Sequence, residues 1–157
     1  MHNRRSIRLK EYDYSQPGAY FVTVCTWRRE NLFGEVVDRD VRLNEKGHIV
    51  VECWNGILEH FPGVELDAFV VMPNHIHGII VIVGNDVVVG ATHASPLRKK
   101  SGPTPKSLGA MVGSFKSAAA RRIRVESGET SIWQRNYVYC DLCSAMNTLY
   151  VMRRNGI

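Results

Sequence analysis

With 157 residues, 45% of them hydrophobic, the chain has the length for one domain with its own core and the composition of a globular protein. No apolar run approaches the ~18 residues that span a bilayer, and the basic residues 1–10 are followed by no hydrophobic region, so neither a membrane helix nor a secretory signal is expected. The net charge of +5 is unevenly spread: residues 84–126 carry eight cations against Asp86 and Glu126, and Arg4, Arg5, Arg8 and Lys10 add a second basic segment. Two basic segments on a small domain suggest a polyanionic partner, although a solvated surface accounts equally for either one alone.

Residues 19–27 are β-branched and aromatic, follow Pro17-Gly18, and read as a first strand. Asn44 is a plausible N-cap for a helix reaching about His60, because Ile49, Val50, Cys53, Trp54, Ile57 and Leu58 recur at helical spacing before Pro62-Gly63. Residues 64–72 and 75–83 read as two strands joined by a tight Pro73-Asn74 turn. Residues 84–105, rich in Gly, Ser, Pro and cations, read as a mobile loop. A second long helix follows from Lys106 to about Val125. The order strand–helix–strand–strand–helix, with a further C-terminal element, predicts an α+β fold of ferredoxin-like topology with helices packed on an antiparallel sheet. One domain is expected over residues 1–157, with 1–18 as a basic arm and 138–157 as a tail.

His75-Ile76-His77 lies inside the third predicted strand, where side chains alternate faces, so both imidazoles point to one side. Such a pair can grip a divalent cation and leave coordination positions open for a substrate oxygen. His75, His77, Ile79, Val81 and Val83 share this face, which is apolar beyond the histidines. A C-terminal helix or a second subunit is expected to cover it. A satisfied pair of core histidines is the plain alternative.

In the second long helix Leu108, Met111, Val112, Phe115 and Ala119 form the core stripe, and Lys106, Gly113, Ser117, Arg121 and Arg124 fall in a narrow arc opposite. Small residues flanked by cations let a sugar–phosphate backbone approach, with Ser117 as a neutral donor and Lys116 a further candidate contact. Close helix packing at Gly113 and Ser117 is the competing explanation. For a nucleophile the late tyrosines Tyr137, Tyr139 and Tyr150 are the candidates, since a tyrosinate can hold phosphorus covalently. Cys140-Asp141-Leu142-Cys143 has no second cysteine pair and makes a poor zinc site. All four cysteines, with Cys25 and Cys53, are expected as reduced thiols in a cytoplasmic chain.

The segment Val70-Val71-Met72-Pro73-Asn74-His75-Ile76-His77-Gly78-Ile79-Ile80 resembles the metal-binding signature of the single-tyrosine HUH transposases. Residues 4–9, 18–27, 89–96, 107–117 and 132–137 resemble REP-associated tyrosine transposases of bacteria in the same order. The resemblance implies a ferredoxin-like HUH fold and a Mg²⁺- or Mn²⁺-dependent endonuclease on single-stranded DNA near hairpins of REP-like palindromes. It implies a 5′-phosphotyrosine intermediate, His75 and His77 as metal ligands, and in many relatives a homodimer. Arg4, Arg5, Arg8 and the basic arc of the second helix are assigned to DNA on charge.

After Tyr137 the likeness stops. Counted from Trp133, the family tyrosine falls near Arg154, with Tyr150 the nearest tyrosine. The amide or carboxylate expected about one turn later is missing, and Tyr137 with Asp141 has helical i, i+4 spacing but comes too early. A frameshifted or decayed C-terminus would explain the break. Three readings follow: a DNA-nicking transposase using Tyr150, a remnant that binds hairpin DNA without chemistry, and an RNA-binding domain of related topology. The last would stack bases on Tyr20, Phe21 or Trp27.

Overall fold

The computed structural model describes residues 13–83 and 106–141, with 136–141 as backbone only. Arg4, Arg5, Arg8, Tyr150 and the segment 84–105 lie outside the described residues. Strand β1 (Gly18–Thr26) is followed by a turn at Trp27–Arg29 and by a hairpin of β2 (Gly34–Val37) and β3 (Asp40–Leu43). Helix α1 (Glu45–Asn55), the short α2 (Ile57–His60), β4 (Val64–Met72), β5 (His75–Ile82), α3 (Leu108–Ser127) and β6 (Trp133–Asp141) complete the described chain.

The sheet runs β4-β5-β1-β6 with every neighbouring pair antiparallel. Without the small hairpin, the order strand–helix–strand–strand–helix–strand with the first and third main strands central is the expected ferredoxin-like arrangement. It follows from two crossovers, each too long for a hairpin and filled by a helix. Both helices lie on one face. Val22, Val24, Ile76 and Ile80 point to them and share a core with Ile49, Val50, Trp54, Met111, Val112, Phe115 and Ile123. Trp54 stacks on Phe69 (centroids 4.6 Å apart, planes 9° apart) and meets the edge of Phe115 at 5.3 Å. Gly78 makes this possible, because a Cβ there would collide with the Trp54 ring.

Helix starts behave as their sequences dictate. The Asn44 side chain accepts from Gly47 N at 3.0 Å and the Ser107 side chain from Ala110 N at 3.3 Å, each satisfying an otherwise orphan donor. Two expectations need correcting, and one element, the β2–β3 hairpin, has no counterpart among them. The first helix does not run unbroken to His60: α1 ends at Asn55 and α2 begins after Gly56, since glycine weakens helix continuity. Lys106 precedes α3 with φ of 63° rather than belonging to it. The β2–β3 hairpin lacks the usual signal, because its left-handed turn is built from Asp38 and Arg39 (φ 51° and 72°) where Asn-Gly would normally announce it. Residues 133–141 form an edge strand beside β1, in the plane of the sheet, and the C-terminal cover expected over the histidine face falls outside the described residues.

Candidate metal and nucleic-acid site

The site begins with the register of β1 on β5. Thr23 lies opposite His77 and Cys25 opposite His75, so both imidazoles stand on the face of the central strands turned away from the helices. Their ring centroids are 4.7 Å apart with planes at 77°. His77 leans on the Phe21 ring at 5.2 Å, nearly parallel, which fixes its plane from one side. Both histidines are partly buried, at the mouth of the hairpin that Pro73-Asn74 closes.

Each imidazole is held by its Nδ1. Asn74 Oδ1 sits 2.6 Å from His75 Nδ1, and the Asn74 amide nitrogen donates to Arg29 O at 3.4 Å. Since the carbonyl oxygen can only accept, His75 carries its proton on Nδ1 and presents the Nε2 lone pair. Thr23 Oγ1 is 2.8 Å from His77 Nδ1 and can accept from it in the same tautomer. A neutral imidazole with Nδ1 engaged and Nε2 open is the form that ligates cations. Burial pushes the pKa of His75 below the ordinary histidine value, and the Arg29 charge adds to this. Burial does the same to His77, reinforced by His75. Among the described residues no group of three or more His, Cys, Asp or Glu side chains converges on a common point. The pair by itself can therefore supply two ligands to a cation that takes its other donors elsewhere.

Asn74 and Thr23 do not appear among the site residues expected from the sequence. Asn74 stands beside His75 in the motif, whereas Thr23 could be found only from the strand register. The Asn74 main chain is also fixed: its carbonyl accepts from Thr26 N at 3.0 Å and lies 2.9 Å from the buried Thr26 hydroxyl, which also reaches Glu30 O at 2.8 Å. The end of β1 and the β4–β5 turn thus form one rigid corner.

The expected basic arc of α3 is in place at Ser117, Arg121 and Arg124, all exposed, while Gly113 has open space where a Cβ would go among the described residues. Among the described residues, close packing therefore does not explain this glycine. Lys116 points elsewhere. Its amine donates to Gln134 O at 2.8 Å on β6, and burial lowers its pKa. Arg122, outside the arc, pairs with Glu52 at 2.6 Å. Tyr137 lies opposite Val24 and Tyr139 opposite Val22 in the register, two of the β1 positions that face the helices, whereas Val138 lies opposite Thr23. Of the aromatics considered for base stacking, Tyr20 is fully buried with its hydroxyl on Gln16 O at 2.9 Å, and Trp27 is exposed.

No family model matches the chain. The fold is similar to the structure of a REP-associated tyrosine transposase bound to a REP hairpin, with a TM-score of 0.54 and 18% identity over 85% of this chain and 61% of that one. The chain thus spans about three fifths of the length of that transposase, and the likeness is one of fold. A protein of Haemophilus influenzae with no characterised function is 40% identical over 141 residues, covering 87% of this chain and 77% of the relative. At that identity and coverage the chain belongs to the same family as the Haemophilus influenzae protein, built on a fold shared with a REP-associated tyrosine transposase.

Proposed function

We propose that the chain is a DNA-binding protein of the single-tyrosine HUH transposase type, acting on single-stranded DNA next to a hairpin. The observation that carries this reading is the pair of imidazoles side by side on a sheet of transposase-like topology, His75 held at Nδ1 by Asn74 and His77 held at Nδ1 by Thr23. Its support from the comparisons is the fold shared with a transposase bound to a REP hairpin. In this reading His75 and His77 hold Mg²⁺ or Mn²⁺, which offsets negative charge on the scissile phosphate. Asn74 and Thr23 orient the rings, and Arg121 and Arg124 of α3, with Arg4, Arg5 and Arg8, hold the sugar–phosphate backbone. Tyr150 is the proposed nucleophile. Its phenolate oxygen bonds to phosphorus, the 3′ oxygen leaves and takes a proton, and a 5′-phosphotyrosine results.

The direct test incubates the full chain with a hairpin-bearing single-stranded oligodeoxynucleotide and Mn²⁺, followed by denaturing electrophoresis. A covalent adduct is expected, absent from Tyr150→Phe and from the His75→Ala, His77→Ala double variant. The register of Tyr137 and Tyr139 opposite helix-facing valines favours a second outcome should Tyr150 prove inert: a remnant that binds hairpin DNA and cuts nothing. Tight binding without any adduct would select it. In either case the protein is expected on the nucleoid when bound to DNA.

A further inference from the structure

The turn between β1 and the small hairpin has features that neither the core nor the histidine pair requires. Trp27 keeps 37% of its surface exposed, in a chain whose other two tryptophans pack inside against Phe115. The Arg28 guanidinium carbon lies 5.9 Å from the centroid of the Trp27 ring, and both arginines of the turn are exposed. Arg28 and Arg29 are consecutive left-handed residues (φ 52° and 59°), a conformation that arginine rarely adopts and that glycine would take freely. The surroundings enforce it. Glu30 N donates to Trp27 O at 3.1 Å, the buried Thr26 hydroxyl reaches Glu30 O, and the Asn74 amide donates to Arg29 O. Through the same Asn74 side chain the turn is one residue removed from the His75 ring. A rigid, strained turn that displays an indole and two cations beside a candidate metal pair has the makings of a binding surface.

We propose that the Trp27–Arg29 turn is the rest on which single-stranded DNA is held beside the histidine pair, with Trp27 stacking on a base and Arg28 and Arg29 taking the flanking phosphates. A single strand exposes both partners that this surface offers to bind: π-faces that stack on an indole without regard to sequence, and phosphates spaced along a flexible backbone. A duplex hides its base faces and would use only the arginines. Asn74 makes the turn and His75 parts of one rigid body, so a strand resting on Trp27 is presented to the metal side of the imidazoles. The inference rests on the DNA-strand reading proposed above and adds to it the surface that delivers the strand.

The experiment titrates the full chain with oligodeoxythymidylate in EDTA, so that no cleavage intervenes, and follows tryptophan fluorescence. Quenching is expected in the wild type and its loss in Trp27→Phe. Trp27→Ala is expected to bind roughly 5- to 160-fold more weakly, the range for loss of one base–aromatic stack. The double variant Arg28→Gly, Arg29→Gly keeps the left-handed backbone and removes only the cations. It should keep its melting temperature and lower the slope of log K against log salt by about 0.7 for each phosphate left without its arginine. Unchanged quenching in Trp27→Phe with an unchanged slope in the glycine variant overturns the proposal and leaves the DNA reading standing. Tighter binding of the matching oligoribonucleotide overturns its assignment to DNA. A wild type that binds no oligonucleotide at all overturns both.

Discussion

Asn74 is the residue on which the candidate site turns. Its Oδ1 fixes the tautomer of His75, its Nδ2 holds Arg29 O, and its own carbonyl joins the end of β1. Asn74→Ala is expected to weaken Mn²⁺ binding by ~10–100-fold, the usual cost of losing a hydrogen-bond partner behind a ligating histidine. Isothermal titration on the folded variant measures this, with Asn74→Asp keeping the acceptor as a control. The imidazoles also predict a pH response. Both have folded pKa values below the ordinary 6.5, so below that pH the unfolded chain binds more protons than the folded one. Their contribution to stability is present above pH 6.5 and is lost as the pH falls through the folded values. Histidine proton resonances of the metal-free protein should therefore titrate with midpoints under 6.5. The histidines were legible in the sequence because a two-residue period within a β-branched run puts them on one face. Thr23 was not, because its position opposite His77 depends on a register between strands 54 residues apart.

At the scale of elements, the sheet is set by how closely α1 can approach it. Trp54 lies flat against β5 because Gly78 has no Cβ. Gly78→Ala forces the Trp54 ring, itself wedged between Phe69 and Phe115, to move, and is expected to cost about 1–3 kcal/mol as overpacking. A fall in the thermal midpoint measures it, with the loss restored in part by a smaller side chain at position 54. The helices themselves were readable from their stripes: Leu108, Met111, Val112, Phe115 and Ala119 are all buried. Periodicity could not tell that the last described element joins the sheet. An isolated stretch of apolar and aromatic residues fits a strand or a cover equally, and only pairing along β1 decides between them.

For the whole molecule the distribution of charge matters more than its total. Arg121 and Arg124 are exposed on the outer side of α3, whereas the Lys116 amine is held by Gln134 O. Single-stranded DNA binding is expected to weaken steeply with salt. Replacing Arg121 and Arg124 by Gln should lower the salt slope by about 0.7 per phosphate no longer neutralised, while Lys116→Gln leaves it nearly unchanged. Filter binding across a salt series checks both. The Arg122–Glu52 pair, although only 2.6 Å apart, is exposed, and its removal should change stability by at most about 1 kcal/mol.

The sequence alone determined the helix stripes, the strand pair that carries His75 and His77, and the alternation of elements that leads to a ferredoxin-like sheet. Each is a local periodicity or cap, written within a few neighbouring residues. Only the tertiary structure decided that Thr23 stands behind His77, that Asn74 locks His75 to the Trp27–Arg29 turn, that Lys116 is spent on β6, and that the last described strand lies beside β1. These are pairings between distant segments. They are fixed by strand register and by which buried donor finds which acceptor, and no window of sequence contains both partners.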